Sequence, residues 1–343
     1  MDKRCIKDFS LEELRKEISK FFMPSYRADQ IFFWLYKKGV HNFSCMTNLP
    51  EDFRDTLSRF YYINALYLKK TLKSSDGTEK FLFELCDKRL IESVIIPSAS
   101  RYTLCLSTQV GCKYGCVFCA SGANGFKRNL SVSEIIDQIL YIQHVLKYPI
   151  TNIVFMGMGE PLDNYENVSR AIMIINDPKG LGLGAGRITV STCGIVPGIH
   201  RLKDLGLKIN LSLSLHAAND TLRNKVVPIN KIYPLQEVIS ACLDFKKKIG
   251  TKITLEYVLL RGLNDSSEDS MALARIAKRL DAKVNLIPCS PAPGKSYTPP
   301  DKKKIELFRK TLLENGINVT LRNSRGLDIQ AGCGQLAMLG VDS

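Results

Sequence analysis

No stretch of eighteen apolar residues occurs in the chain, so nothing in it has the length and apolarity of a membrane-spanning helix. The opening MDKRCIKDFS is polar, which argues against a secretory leader and makes the cytoplasm the expected location. Low-complexity tracts and short internal repeats are also missing, which excludes a repeat array. What is present is ordinary in bulk: 45% hydrophobic and 24% charged residues describe a globular protein rather than a disordered or collagenous one. At 343 residues the chain can bury a large core without a disulfide scaffold. Eleven cysteines then need another explanation, and in a reducing compartment those that are not core hydrophobes are metal ligands or catalysts. The net charge of +14 suits a polyanion, and 11 of the 14 excess positive charges fall after residue 92. Charge alone fits a basic, well-solvated surface equally well.

Three helical segments are predicted first: Leu11 to Phe22, Tyr26 to Lys38, and a third opened by Leu49-Pro50 around Phe53 and Leu57. From Tyr67 the pattern changes to strands, with a hairpin at Asp76-Gly77 and a third run from Leu90 to Ile96, ended by Pro97. Strand and helix signals then alternate. Six strands are expected, at Thr103 to Ser107, Asn152 to Met156, Arg187 to Ser191, Ile209 to Leu215, Thr254 to Leu259 and Lys283 to Pro288. The helix Ser131 to Val145 starts with the capping box Ser131-x-x-Glu134. The division is therefore a helical module over 1–64, a β-meander over 65–98 and an α/β domain over 99–343. Six βα units suggest a parallel barrel or partial barrel, with a doubly wound open sheet as the alternative. In a barrel, the chemistry belongs on loops at the C-terminal ends of the strands.

The loop after the first of these strands reads Cys112-Lys-Tyr-Gly-Cys116-Val-Phe-Cys119. Three thiolates so close can hold one face of an iron–sulfur cluster and leave one iron open, whereas structural zinc wants four ligands. A zinc site completed from a distance is the competing reading. The second strand ends in Gly157-Met-Gly159-Glu160-Pro161, where glycine lets a ligand approach the backbone and Glu160 can accept from a cationic amine. Ser191-Thr-Cys193-Gly194 follows the third strand, and Ser214-Leu215-His216 the fourth. A lone histidine is usually a satisfied core residue; its alignment with the other strand ends favours a role at the same pocket.

CxxxCxxC with an aromatic before its last cysteine resembles the radical S-adenosylmethionine (SAM) enzymes. In that superfamily three cysteines hold a [4Fe-4S] cluster whose open iron binds SAM, and electron transfer yields a 5′-deoxyadenosyl radical. Further segments narrow the likeness: YRADQIFFWLYKKGV and CMTNLP near the start, TLCLSTQVGC, FMGMGEPL, SLSLHAANDTLRNKVVPIN, and GLDIQAGCGQL near the end. Together they resemble the RlmN/Cfr family of RNA methyltransferases over nearly the whole chain. Pro161 after GMGE resembles the branch that methylates adenine C2; the other branch methylates C8 and tends to carry alanine there.

The resemblance implies a partial (β/α)6 barrel of the radical-SAM type, with cluster ligands Cys112, Cys116 and Cys119. SAM contacts are implied at Gly159, Glu160, Ser191, Ser214, Leu215, His216 and Ser290, the last where the family commonly has asparagine. Adenine C2 has no useful nucleophilicity, so a thiolate must do the displacement on SAM instead. By resemblance Cys333 becomes S-methylcysteine at the expense of one SAM, a second SAM supplies the radical, and Cys105 resolves the RNA adduct through a transient disulfide. Glu92, in IESVIIP, corresponds to the proton acceptor, although an alternating strand could equally point it at solvent. The implied partners are 23S rRNA, tRNA and an electron donor such as flavodoxin or ferredoxin, with the chain acting as a monomer. A radical-SAM enzyme for a small molecule and a zinc-stabilised RNA-binding protein are the alternatives. Neither needs the pair Cys105 and Cys333. Among basic runs Lys127-Arg128, Lys246 to Lys248 and Lys302 to Lys304 are candidates for RNA, with Lys127-Arg128 preferred for its place beside the cluster loop.

Overall fold

Three helices open the chain: α1 (Leu11–Ser19), α2 (Tyr26–Phe33) and α3 (Glu51–Phe60). The computed structural model of the protein describes residues 3–123, 125–292 and 294–336. α1 starts at a capping box in which Ser10 and Glu13 each accept from the other's backbone N–H, so its first turn needs no solvent. α2 continues as one wider turn, Trp34–Lys38, stopped by Gly39 in the left-handed region. Apolar stripes carrying Leu14, Ile18, Ile31, Phe32, Phe53 and Leu57 close on one another as a core.

The strands follow as β1 (Leu66–Lys73), β2 (Glu79–Leu85), β3 (Leu90–Ser98), β4 (Arg101–Cys105), β5 (Asn152–Phe155), β6 (Ile188–Thr192), β7 (Asn210–Ser214), β8 (Ile253–Leu259), β9 (Lys283–Pro288) and β10 (Val319–Leu321). All ten form one sheet in unbroken chain order, β10 at one edge and β1 at the other. β1 to β4 pair antiparallel, and β4 to β10 pair parallel. The crossovers are α4 (Val132–Leu140), α5 (Tyr165–Asn176), α6 (Val196–Lys203), α7 (Asp220–Val226) with α8 (Leu235–Ile249), α9 (Ser267–Leu280) and α10 (Lys302–Glu314). Six βα units from β4 to α10 make the expected partial barrel, and the edges β1 and β10 do not pair with each other. The seventh parallel strand, β10, is three residues long and half-exposed, which is why its sequence carries no strand signal. β8, buried along its whole length, is the opposite case, because a central parallel strand is covered on both faces.

The meander joins the parallel sheet without a break, because β3 pairs with β4 from Val94↔Cys105 to Ser98↔Arg101. β3 thus runs through Pro97 rather than ending before it. Pro97 opposes Tyr102, whose N–H donates to Thr151 Oγ1 and whose carbonyl accepts from Thr151, so no ladder bond is asked of the proline.

α4 ties the three parts together. Every residue of it is buried, polar ones included, and those are satisfied. Asp137 accepts from Lys7 and from the Ala65 N–H at 2.7 Å. Gln138 accepts from Ser93 Oγ at 2.7 Å and from the Ser107 N–H at 3.0 Å, and donates to the Ser107 carbonyl at 3.0 Å. Asp8 accepts from the Ser133 N–H at 2.8 Å. The helical module, the meander and the loop leaving β4 are thus held by one helix. No helix among the described residues is long and apolar enough to cross a membrane.

Candidate active site

A cleft opens at the C-terminal ends of the parallel strands. Its wall takes one contribution from almost every strand end: Cys112, Cys116 and Cys119 after β4, Gly159 and Glu160 after β5, Ser191 to Cys193, Ser214 and His216, Glu256 and Val258, Ile287, and Arg322 after β10. Cys333 and Gly334 complete the lining. A second cavity shares Cys119, Met156, Arg322 and Cys333 with it and is lined also by Val94, Ile96 and Cys105.

The cysteine loop is pinned at both ends. Leu106 and Thr108 donate to the Val154 and Met158 carbonyls at 2.9 Å, which continues the β4–β5 ladder into the loop, and Val117 donates to Val226 at 3.2 Å. Burial pushes the Cys112 thiol up to about 12 and Cys116 higher still, each further raised by neighbouring cysteines of the motif. No three Cys, His, Asp or Glu groups among the described residues converge on a single-ion site. A cubane cluster does not ask for that, since each thiolate binds its own iron. Three cysteines that face one cleft and feel one another's charge therefore fit a cluster with an open corner, and iron supplies the positive charge that burial otherwise keeps as a proton.

Gly159 sits at φ +95, and a Cβ there would lie 2.5 Å from the Gln109 side chain, so only glycine lets the GMGE turn close on the cysteine loop. That turn presents Glu160, whose carboxylate accepts from the Cys193 N–H at 2.8 Å and the Leu162 N–H at 3.0 Å. Burial raises Glu160, and the two amides oppose that by stabilising its anion. Ser191 and Ser214 stand as a hydroxyl pair 3.3 Å apart. His216, at φ +56, accepts from the Val258 N–H through Nδ1 at 3.1 Å, which leaves its proton on Nε2. Burial, with Arg223 as the second cause, pushes it down to about 3, so it is a neutral donor. Leu215 is fully buried and does not line the cleft; its N–H donates to the Glu256 carbonyl at 3.0 Å. Ser290 is not brought to the cleft wall: it is buried, and its hydroxyl donates to Ser324 Oγ at 2.8 Å.

The segment bearing Cys333 is strapped across the meander. Asp328 accepts from Ser74 Oγ at 2.6 Å and the Ser75 N–H at 3.1 Å, and the Gly326 N–H donates to Asp76 at 2.9 Å. Lys80 donates to the Gln330 carbonyl at 3.2 Å. At its far end Ala120 donates to the Gly334 carbonyl at 2.7 Å and Ser121 to Leu336 at 2.7 Å. Gly334, at φ +83, lets this segment lie on Phe118 and Cys119. Cys333 is exposed and belongs to both cavities, whereas Cys105 is buried in the second, where burial first and Cys333 second push its thiol up to about 12. Both are free thiols.

Glu92 does not face solvent. It is buried at the centre of the meander with its carboxylate 2.9 Å from Lys80 Nζ, itself buried, on the strand face that carries Val94 and Ile96 into the second cavity. Three residues escaped the sequence reading. Glu256 lies in the apolar run ITLEYVL and accepts from Ser212 at 2.8 Å and Asn285 at 3.0 Å, with its other carboxylate oxygen facing Arg322 at 4.0 Å. A carboxylate inside a buried strand was the available signal. Arg322 follows a strand that has no signature, and Arg223 reads as an ordinary helix-surface cation. Of the basic runs, Arg128 is committed to Asp87 and Glu134 at 2.7 Å each, which leaves Lys127 exposed beside the cysteine loop. Lys246 to Lys248 end α8 and so lie at the opposite end of the barrel from the cleft.

Residues 106–274 match the radical SAM superfamily, and residues 6–63 match the ribosomal RNA large subunit methyltransferase N-terminal domain. The chain is 45% identical over 341 residues to a probable dual-specificity RNA methyltransferase RlmN of Dictyoglomus thermophilum, with 98% of each chain covered. It is 43% identical over 336 residues to the dual-specificity RNA methyltransferase RlmN of Geotalea uraniireducens, covering 98% of this chain and 97% of that one. A solved radical SAM methyltransferase from Sphaerobacter thermophilus superposes with a TM-score of 0.93 at 41% identity, over 97% of this chain and 99% of that one.

Proposed function

The chain belongs to the RlmN family of radical-SAM RNA methyltransferases, and on that premise we propose that it methylates C2 of one adenosine in 23S rRNA and of the adenosine 3′ of certain tRNA anticodons, by way of S-methylcysteine at Cys333. The observation that carries this reading is the placing of Cys333 on the walls of both cavities. A residue that takes a methyl group from a cofactor and hands it to a base must face both.

Cys112, Cys116 and Cys119 would hold the cluster, with Glu160, the Ser191–Ser214 pair and the Nε2–H of His216 placed around SAM. When bound, these groups supply a methyl group to a thiolate and a carbon radical able to take hydrogen from a methyl thioether. Two SAM molecules are consumed per product, one for each task. Cys333 then carries its one-carbon unit into the second cavity and forms the carbon–carbon bond to C2. Glu92, ion-paired to Lys80, accepts the proton displaced from C2 as the adduct gives up one electron, which the cluster would accept. Cys105, losing its proton, attacks the Cys333 sulfur; the S–C bond breaks with its electron pair going to the one-carbon unit, which takes up a proton as the methyl group of the departing base, and an external dithiol reduces the disulfide back to two thiols. Burial protects Cys105 from other electrophiles until that moment.

Reaching C2 requires the base to be unstacked, which favours loops over duplexes. Lys127 by the cluster loop and Lys302 and Lys303 at the start of α10 lie at the cleft end of the barrel and suit phosphate contacts. The helical module over 1–64 offers a second RNA contact. A cytoplasmic monomer fed by flavodoxin or ferredoxin completes the proposal. The test is anaerobic reaction of reconstituted enzyme with SAM, reductant and a 23S rRNA fragment, followed by mass spectrometry of the nucleosides. 2-Methyladenosine is the expected product. 8-Methyladenosine would overturn the C2 assignment, and SAM cleavage with neither product would overturn the RNA substrate.

A further inference from the structure

Arg223, in α7, is fully buried, and all its hydrogen bonds end on neutral oxygens. Nε donates to the Leu215 carbonyl at 3.1 Å, Nη1 to Asn230 Oδ1 at 2.7 Å, and Nη2 to the Cys193 carbonyl at 2.7 Å and the Ser214 carbonyl at 3.4 Å. No carboxylate among the described residues lies within 4.0 Å of its guanidinium; Asp220 is one residue removed, bonded through Asn230. Guanidinium does not escape burial by losing a proton, and a buried cation without an anion costs several kcal/mol. Its charge acts on Cys193, Cys116, Asp220 and Cys242, and the cysteine loop is packed against its surroundings: Val117 donates to Val226 at the end of α7 at 3.2 Å, and the Phe118 ring meets the His216 ring edge-on at 4.7 Å. Hydrogen bonding alone does not account for this choice of residue, because neutral acceptors leave the positive charge without a contacting anion.

We propose that Arg223 is the buried counter-cation of the iron–sulfur cluster, a positioning residue that raises the cluster's reduction potential and so makes the electron that starts catalysis easier to accept. The inference rests on the reading that Cys112, Cys116 and Cys119 are the ligands. Reduction brings one electron from a low-potential donor onto the cluster; no bond breaks and no proton moves. Three thiolates make the cluster anionic, and reduction adds a further negative charge. A fixed positive charge next to the cysteine loop, itself buried away from water, therefore stabilises the reduced form more than the oxidised one. The same cation bridges the strand ends that carry Ser191, Ser214 and His216, so cluster potential and SAM pocket share one support.

The experiment is an anaerobic redox titration of the reconstituted full-length enzyme, followed by electron paramagnetic resonance, with iron content measured on each sample. Wild-type protein must first show about four irons and a reducible signal; failure there overturns the ligand reading, independently of Arg223. Arg223→Gln is expected to move the midpoint negative, lowering the reduced-to-oxidised ratio at a fixed potential about tenfold, ~59 mV for a one-electron couple. Arg223→Lys keeps the charge and loses the fork of bonds, and should stay near the wild-type midpoint. Should the glutamine variant fail to hold iron, the exchange Asp220→Asn with Asn230→Asp moves a carboxylate into contact with the guanidinium while keeping the cation in place, and is expected to shift the midpoint the same way. A wild-type midpoint in an iron-replete Arg223→Gln enzyme, or in the exchange variant, overturns the proposal. So does a lysine variant shifted as far as glutamine, which would make the role structural.

Discussion

His216 makes the site acid-sensitive in a way that can be calculated. The imidazole is 5% exposed, it takes the Val258 N–H on Nδ1, and burial holds it near 3, against an ordinary value of 6.5. In the unfolded chain it gains a proton as pH falls through 6.5, whereas in the folded chain it stays neutral until about 3. Its contribution to stability is therefore fully present above 6.5 and lost progressively below it, by about 1.4 kcal/mol per unit. Between pH 7.5 and pH 5.0 that amounts to about 2 kcal/mol. His216→Asn tolerates the left-handed backbone and offers Oδ1 to the Val258 N–H without titrating. Urea midpoints of the cluster-free chain at the two pH values check this, because the difference between wild type and variant cancels every other group. The gap between the two proteins should narrow at pH 5.0 by about 2 kcal/mol. An unchanged gap would refute the buried, neutral histidine, and with it the Nε2–H donor proposed for SAM.

Cys105→Ala removes the proposed resolving thiol at small cost in packing, so RNA crosslinked to Cys333 should accumulate on denaturing gels; normal turnover by this variant would remove Cys105 from the mechanism. Asp328→Ala cuts the bonds to Ser74 and Ser75 that strap down the Cys333 segment. SAM affinity should be unchanged while methylation of Cys333, read by mass spectrometry, slows several-fold; equal loss of both would mean that the strap supports the whole cleft. Lys7→Met leaves Asp137 buried with only the Ala65 N–H, and should destabilise the chain by about 3 kcal/mol in urea unfolding. Burial, the leading cause, already raises the Asp137 carboxyl, so the deficit should shrink as pH is lowered toward 4 and grow as it rises.

Periodicity alone placed the hairpin at Asp76-Gly77 and six strands within a residue or two of where they lie, and the three helices as well, except that the first ends at Ser19, three residues short of Phe22, because each has an amphipathic or buried pattern long enough to register. β10 escaped because three half-exposed residues have no period. Pro97 misled because proline forbids a strand only where a ladder bond is due, and its neighbour Tyr102 turns its polar groups the other way. The chemistry-bearing spacings were legible for a different reason. Cys112, Cys116 and Cys119 are close in sequence, and the strand-end residues share one side of a barrel once the strands are parallel.

The sequence by itself determined the kinds of chemistry available: a cysteine triplet for a cluster, a glycine-bracketed Glu160, and two further cysteines distant along the chain. Only the tertiary structure decided that Cys105 and Cys333 share a cavity, since they lie 228 positions apart and nothing local expresses that contact. Likewise, only the fold pairs Glu92 with Lys80 across two strands, withdraws Ser290 from the cleft and sinks Arg223 behind the strand ends next to the cysteine loop. Charge, burial and hydrogen-bond partners belong to the assembled environment, so a residue's identity states what it can do and its neighbours decide which of those things it does.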